Sequence, residues 1–389
     1  MFRYSFIAYF SFQEMSVFTI IARDKKSKAR TGILHTKSGD IETPFFMPVA
    51  TKNAVKHISS EELQRMNAKA IISNSFILSL RPSASVIKRF GGMHSFMKYS
   101  GIIFTDSGGF QMYSKQLYLG SEKNGVWFRN PYNGKKLFMT PEENMNLQLT
   151  LDSDVAMCLD SMPLIEHSKQ AVAEAVEKTT AWAERCKREH DKLQKKRKKN
   201  ERQLLFGIIQ GGIHADLRKK SAQELIRLNF DGYSIGGLAL GEPKEAEYKM
   251  IEVAKKVIPE QKPVYLMGAG NPIELLEAIS RGVDMFDSRF PTKNARRGAL
   301  FTWNGPLRIT NSAYTDDKKP IDSQCDCFVC REYSRAYIKH LLIAEEGLGY
   351  RLASYHNLYF LQRLMEKARE AIKKGSFTKF LKEFKKVYR

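Results

Sequence analysis

The sequence predicts an α/β fold, a (β/α)8 barrel of the TIM type with an inserted subdomain, on three observations. Seven short apolar runs recur along the chain, helical stretches lie between many of them, and several runs end in a polar residue or a glycine. Runs that are apolar throughout read as strands buried on both faces of a parallel sheet. Strand then helix, repeated this often, favours a closed barrel over an open sheet. In such a barrel the chemistry gathers where the strands end.

Taken in order, residues 1–17 read as an N-terminal extension. It is aromatic-rich (Phe2, Tyr4, Phe6, Tyr9, Phe10, Phe12), carries one early Arg3 and lacks a small-residue cleavage site, so it makes a poor signal peptide. Met15 is an alternative start. Residues 18–389 read as a single domain. Its expected strands are 70–74, 101–106, 154–160, 204–211, 233–237, 264–268 and 283–287. Helical spacing marks 168–203, 222–228, 244–257 and 272–281, the first ending in the basic run Lys195 to Lys199, which reads as a solvated helix end. From about residue 299 to 357 the rhythm breaks, as an inserted subdomain would break it. Helices follow, the last of them basic and starting at Phe377.

The totals constrain partners. Of 389 residues, 43% are apolar, enough for a large core, and the net charge of +21 attracts polyanions in a salt-dependent way. No run approaches the roughly 18 apolar residues needed to cross a bilayer. Three of the five cysteines, Cys325, Cys327 and Cys330, crowd together as C-x-C-x2-C, a metal spacing rather than a disulfide framework. A closed tetrahedral zinc site needs a fourth ligand, for which His356 and the nearer His340 compete. Four protein ligands leave no open position, so such a zinc is structural. Cysteines used this way imply a reducing, cytoplasmic setting.

The polar strand ends are Asn74, Asp106, Asp160, Gln210, Gly237 and Asp287. Asp106-Ser107-Gly108-Gly109-Phe110 combines a carboxylate, two glycines that admit close backbone approach, and an aromatic face for a base. Asp160, Gln210 and the backbone at Gly236-Gly237 can satisfy the edge of a guanine-like base, a carboxylate suiting its paired N–H donors. Asp287 puts a second carboxylate across the rim from Asp106. Two carboxylates facing a sugar can split a glycosidic displacement into two steps. The basic phrase from Pro291 to Gly298 suits phosphate contacts, or is a solvated loop.

These phrases, with Glu42 to Val49, Gly207 to Gly212, Gly236 to Glu242, Tyr265 to Gly268 and the cysteine cluster, resemble the tRNA-guanine transglycosylases, the queuine tRNA-ribosyltransferase family, from about Phe18 to the C-terminus. The resemblance implies exchange of guanine at wobble position 34 of GUN-anticodon tRNAs for a 7-deazaguanine, through a covalent enzyme–tRNA intermediate, in queuosine biosynthesis. It implies Asp287 as nucleophile and Asp106 as general acid/base. Base-binding residues would be Ser107, Gly108, Gly109, Phe110, Asp160, Gln210, Gly237 and Met267, with Phe110 and Met267 sandwiching the base. RNA-binding segments would be Gly268, Ala269, Gly270, Asn271, Pro272, Ile273 and Glu274, and Thr292, Lys293, Asn294, Ala295 and Arg296. Zinc, one per subunit, would be held by Cys325, Cys327, Cys330 and His356. The partners would be tRNA, the 7-deazaguanine and a second copy of the chain, joined through Tyr333, Tyr337 and His340 on one helix face.

The chain also departs from the family pattern. Asn74-Ser75-Phe76-Ile77-Leu78 lacks a histidine common there, Ser161-Met162 replaces Glu-Cys, and Ala239-Leu240-Gly241-Glu242 places a leucine where a bulky cyclopentenediol would sit. The leucine favours preQ1 over queuine. A queuine-inserting salvage enzyme, a non-catalytic RNA-binding partner subunit and a DNA base-exchange enzyme are the alternatives.

Overall fold

The computed structural model describes residues 16–108, 116–163 and 166–388; the expectations for residues 1–15 lie outside them. The first strands, β1 (Phe18–Arg23), β2 (Arg30–Thr36) and β3 (Gly39–Thr43), form an antiparallel sheet in that order. Then come β4 (Phe45–Pro48), β5 (Ala70–Asn74) and β6 (Ile102–Asp106). A second antiparallel sheet follows: β7 (Tyr118–Glu122), β8 (Gly125–Arg129) and β9 (Lys136–Met139). The rest are β10 (Val155–Met157), β11 (Leu204–Ile209), β12 (Gly232–Ile235), β13 (Val264–Leu266) and β14 (Met285–Ser288). Eight strands pair in the order β4-β14-β13-β12-β11-β10-β6-β5, all parallel. A parallel bridge from Val49 to Ile72 brings the outer two together and closes the barrel.

Seven of these eight strands match the expected runs. The eighth, β4, is missed because the four residues Phe45–Pro48 are too short to show periodicity, and proline argues against a strand. The run expected at 154–160 pairs only over Val155–Met157. The chain leaves the ladder there and carries Asp160 into the pocket.

Alternate residues of each strand face opposite ways, and both faces are buried. Ile71, Ile103, Leu205 and Phe286 pack outward with the helices. Ile72, Phe104, Phe206 and Met285 fill the barrel interior. Phe18, Leu34 and Ile41 belong to the interior cluster, so the sheet β1–β3 stops the N-terminal mouth. A buried Arg30–Asp284 ion pair at 2.6 Å fastens it there.

The helices that position the site are α1 (Ser75–Leu80), α2 (Pro141–Leu151), α3 (Lys169–Gln194), α4 (Ala215–Arg227), α5 (Lys244–Lys255), α6 (Pro272–Ser280) and α7 (Phe290–Ala295). Beyond them lie α8 (Phe328–Glu332), α9 (Arg335–Ile343), α10 (Gly347–Lys373) and α11 (Phe377–Val387). Helix α3 stops nine residues short of the expected Gln203, and a short 3-10 turn occupies Lys199–Glu201. Part of the 291–298 segment, read as a loop, is the helix α7, with Pro291 in its first turn. In α11, Phe377, Leu381 and Phe384 are buried along one face and the lysines point away, as its pattern predicts.

Candidate active site

A cavity of about 510 Å³ opens at the C-terminal ends of the barrel strands. Asn74, Asp106, Asp160, Gln210, Gly237 and Asp287 all line it. A more open cavity of about 650 Å³ lies at the other end of the strands beside Asp152 and Arg197, remote from all six.

Asp106 ends β6. Its Oδ1 accepts the Gly108 N–H at 2.9 Å, which the left-handed backbone of Gly108 (φ 82°) turns toward it. A Cβ on Gly108 would lie 2.1 Å from the Cβ of Phe76, so only glycine fits. Loss of water pushes the Asp106 pKa up to about 8; the negative charge of Asp287 adds to this, and the Gly108 N–H and Asn74 amide oppose it. Asp106 therefore holds a proton at neutral pH. Asp287 ends β14. Its Oδ1 accepts the Tyr265 hydroxyl at 2.5 Å and the Gly268 N–H at 2.9 Å. Burial raises its pKa, against those two donors and the charge of Arg289.

Asp160 accepts the Gln210 amide N–H at 2.7 Å and a weaker contact from the Ser107 hydroxyl at 3.5 Å. Burial pushes its pKa up to about 6. Among the described residues the buried Oε1 of Gln210 has no hydrogen-bond partner. Gly237 (φ 66°) lies so close that a Cβ there would sit 2.5 Å from that oxygen. Met267, Met162 and Leu240 form apolar parts of the wall. Glu242 holds the loop around Leu240, accepting the N–H groups of Ala239 at 2.6 Å and Leu240 at 3.0 Å. Gly109 and Phe110 lie outside the described residues.

Away from the pocket, Cys325, Cys327, Cys330 and His356 converge, their ligand atoms all within 4.8 Å of one another and all four residues buried. The His356 Nδ1 lies 3.9, 3.6 and 3.3 Å from the three sulfurs in turn, as ligands around one tetrahedral ion would. The Nε2–H donates to the Phe301 carbonyl at 2.7 Å, which fixes the ring and leaves Nδ1 for a metal. His340 is exposed on α9, so His356 is the fourth member.

The sequence profile of the family described as Queuine tRNA-ribosyltransferase matches residues 24–389. Proteins of that name from Staphylococcus haemolyticus (strain JCSC1435) and Lysinibacillus sphaericus (strain C3-41) are each 48% identical to the chain over 364 residues, 94% of both sequences. The one from Desulforamulus reducens (strain ATCC BAA-1160 / DSM 100696 / MI-1) is 46% identical over 366 residues, covering 94% of this chain and 97% of its own. The chain belongs to the queuine tRNA-ribosyltransferase family.

Within this family member, the segments expected to touch RNA divide by exposure. Gly268, Gly270 and Glu274 line the pocket mouth, and Lys293 lies exposed beside it. Glu274 is already paired with Lys244 at 2.8 Å. Ala269, Pro272, Thr292 and Ala295 are buried and present no side chain to a ligand. Asn271 caps α6 by accepting the Ile273 N–H. Arg296 is half-buried, and among the described residues its Nη1 has no hydrogen-bond partner. Two pocket residues carried no assigned role in the sequence. Asn74 spends its Oδ1 on the Ile77 N–H, capping α1, and turns its buried amide toward Asp106, whose charged form it favours. Tyr265 sits in the Tyr265-to-Gly268 phrase that carried the resemblance, but nothing in that phrase shows a phenol reaching Asp287.

Proposed function

We propose that the chain is a tRNA-guanine transglycosylase that exchanges the wobble guanine of GUN-anticodon tRNAs for preQ1 in queuosine biosynthesis. The observation that carries this reading is the carboxylate pair lining one pocket: Asp106, buried and held by the Gly108 N–H, and Asp287, held by two donors on one oxygen. In the first displacement an Asp287 oxygen bonds to C1′ as the bond to guanine breaks, and Asp106 gives its proton to the departing base. In the second, Asp106 takes a proton from the incoming base, which bonds to C1′ as the ester breaks. Two displacements at one carbon retain its configuration. Asp160, Gln210, Ser107, Gly237 and Met267 bind the base, together with Gly108, Gly109 and Phe110. The exposed Lys293 and half-buried Arg296 hold the RNA, assisted by the surrounding residues of both segments.

Leu240 in the wall suits the small aminomethyl group of preQ1 better than a cyclopentenediol. The Cys3His donor set suits one structural zinc per subunit. Tyr333 and Tyr337 stack at 5.6 Å, with Tyr337 40% and Ile343 63% exposed, and support a homodimer through this face. Five cysteines without a disulfide support a cytoplasmic setting. Among the described residues no helix is long and apolar enough to cross a membrane.

The test is incorporation of radiolabelled guanine into a GUN-anticodon tRNA. Wild type should exchange it and form a denaturation-resistant protein–tRNA adduct, and Asp287→Ala should do neither. Exchange that persists unchanged in Asp287→Ala would sink the nucleophile. Offering preQ1, preQ0 and queuine side by side decides the base.

A further inference from the structure

Tyr265 is the residue at the active site whose work the reading above leaves undefined. It points inward from β13, fully buried, with its ring edge-on to Phe104 at 6.4 Å and 69°. Placing a phenol in a barrel core costs free energy unless its hydroxyl is satisfied. The hydroxyl donates to Asp287 Oδ1 at 2.5 Å. The Gly268 N–H donates to the same oxygen at 2.9 Å, from a left-handed backbone position (φ 83°). Among the described residues no hydrogen bond reaches the other oxygen, Oδ2.

We propose that Tyr265 is a positioning residue, which with the Gly268 N–H commits Oδ1 of Asp287 to the protein, leaves Oδ2 to bond to C1′, and steadies the charge returned to Asp287 when that bond breaks. The proposal rests on Asp287 being the nucleophile. The steps balance with no further reactant. Oδ2 bonds to C1′ while C1′ releases guanine, which takes the Asp106 proton, and the carboxylate becomes an ester. Its carbonyl oxygen is then Oδ1, still facing the Tyr265 hydroxyl. When the incoming base bonds to C1′, the Oδ2–C1′ electron pair returns to the carboxylate, and Asp106 takes the proton of the base. Tyr265 keeps its own proton throughout.

The two half-reactions use this hydrogen bond differently. A donor on the carboxylate dampens its attack but improves it as a leaving group. Removing the donor therefore slows the second displacement more than the first. It also destabilises the charged carboxylate, so the Asp287 pKa rises and the acid limb of the rate profile moves to higher pH. The other ionisable groups facing this carboxylate are Asp106 on β6, Asp160 beyond β10 and Arg289 beyond β14, with Lys244, Glu274 and Lys293 at the mouth. None of them is altered in a Tyr265 variant.

The experiment follows labelled tRNA on denaturing gels, with a rate profile across pH, for wild type, Asp287→Ala and Tyr265→Phe. Tyr265→Phe should lower kcat by about 10- to 100-fold, the range for a hydrogen bond to a charged group. The KM for tRNA should hold, the covalent adduct should live longer, and the acid limb should rise. A purely structural role would slow both displacements alike and leave adduct lifetime unmoved. Should Tyr265→Phe fail to fold, a fluorotyrosine at position 265, a stronger donor of nearly the same size, should shorten the adduct lifetime. An adduct in wild type, with a lifetime and acid limb identical in the Tyr265 variant, would overturn the proposal and leave the Asp287 reading standing. No adduct in wild type would overturn that reading instead.

Discussion

At the N-terminal ends of the barrel strands, Asp154, Asp231 and Asp284 each stand just before a strand and accept the N–H of a neighbouring one, from Ile103, Leu205 and Val264 at 2.7, 2.9 and 2.7 Å. Each also meets a basic side chain: His94 at 3.0 Å, Arg202 at 3.0 Å and Arg30 at 2.6 Å. At the C-terminal ends, Asp106, Asp160 and Asp287 stand at or beyond their strands and, among the described residues, none forms an ion pair. Their partners are neutral: Gly108 N–H, Gln210 amide, Tyr265 hydroxyl and Gly268 N–H. Residues of one chemical type, on one barrel, thus fasten strands at one end and stay available for reaction at the other. On the roles proposed above, a partner cation would stabilise the upper carboxylates but would quench the proton on Asp106 and the nucleophilicity of Asp287.

The sharpest way to break this contrast is to exchange the ends. Asp287→Ala should lower exchange by ~10⁴-fold or more, the scale for losing a nucleophile, while its melting temperature stays level or rises. Asp106→Asn should cost about 10²- to 10⁴-fold in kcat, the range for general acid–base catalysis, again with little loss of stability. Asp284→Ala should do the reverse. It strands the buried Arg30 and should cost roughly 3–5 kcal/mol in denaturant unfolding, with kcat of the remaining folded enzyme near wild type. An Asp284 variant that is stable but inactive would refute the division of labour.

The contrast also has a signature in pH. Asp106 and Asp160 titrate near 8 and near 6 when folded, against about 3.9 for a free aspartate. Above about pH 4 the folded chain therefore retains protons that the unfolded chain has released. Stability from these two groups declines as pH rises through 6 and then 8. Melting curves at pH 5 and 8.5 should show a smaller drop in the Asp106→Asn, Asp160→Asn double variant than in wild type.

The barrel was legible because its strands are buried on both faces, so the apolar runs stood out without any periodicity. β4 was not, since closure depends on a four-residue strand whose partners are distant in sequence. The pocket carboxylates were legible as polar ends of apolar runs. Tyr265 was hidden because alternation points it inward, where a tyrosine reads as core. His356 was preferred to His340 as the fourth member of the cysteine cluster, but spacing cannot say which one faces the sulfurs. Only the packing of α10 against α8 decides it.

Helix α10 carries more than that ligand. One turn holds His356 against the sulfurs. The next residue, Asn357, accepts the Phe301 N–H and donates to the carbonyls of Pro291 and Ala299, bracketing α7. Further along, Gln362 and Arg369 donate to the carbonyls of Phe46 and Pro44, in and beside β4, the strand paired with the one that bears Asp287. The helix is thus a single strut with sulfur at one end and the barrel seam at the other. Oxidising the thiols would loosen the anchorage of the segment that carries Lys293 and Arg296 while leaving both carboxylates in place. If Lys293 and Arg296 hold RNA as proposed above, thiol damage would then register first as a weaker grip on it.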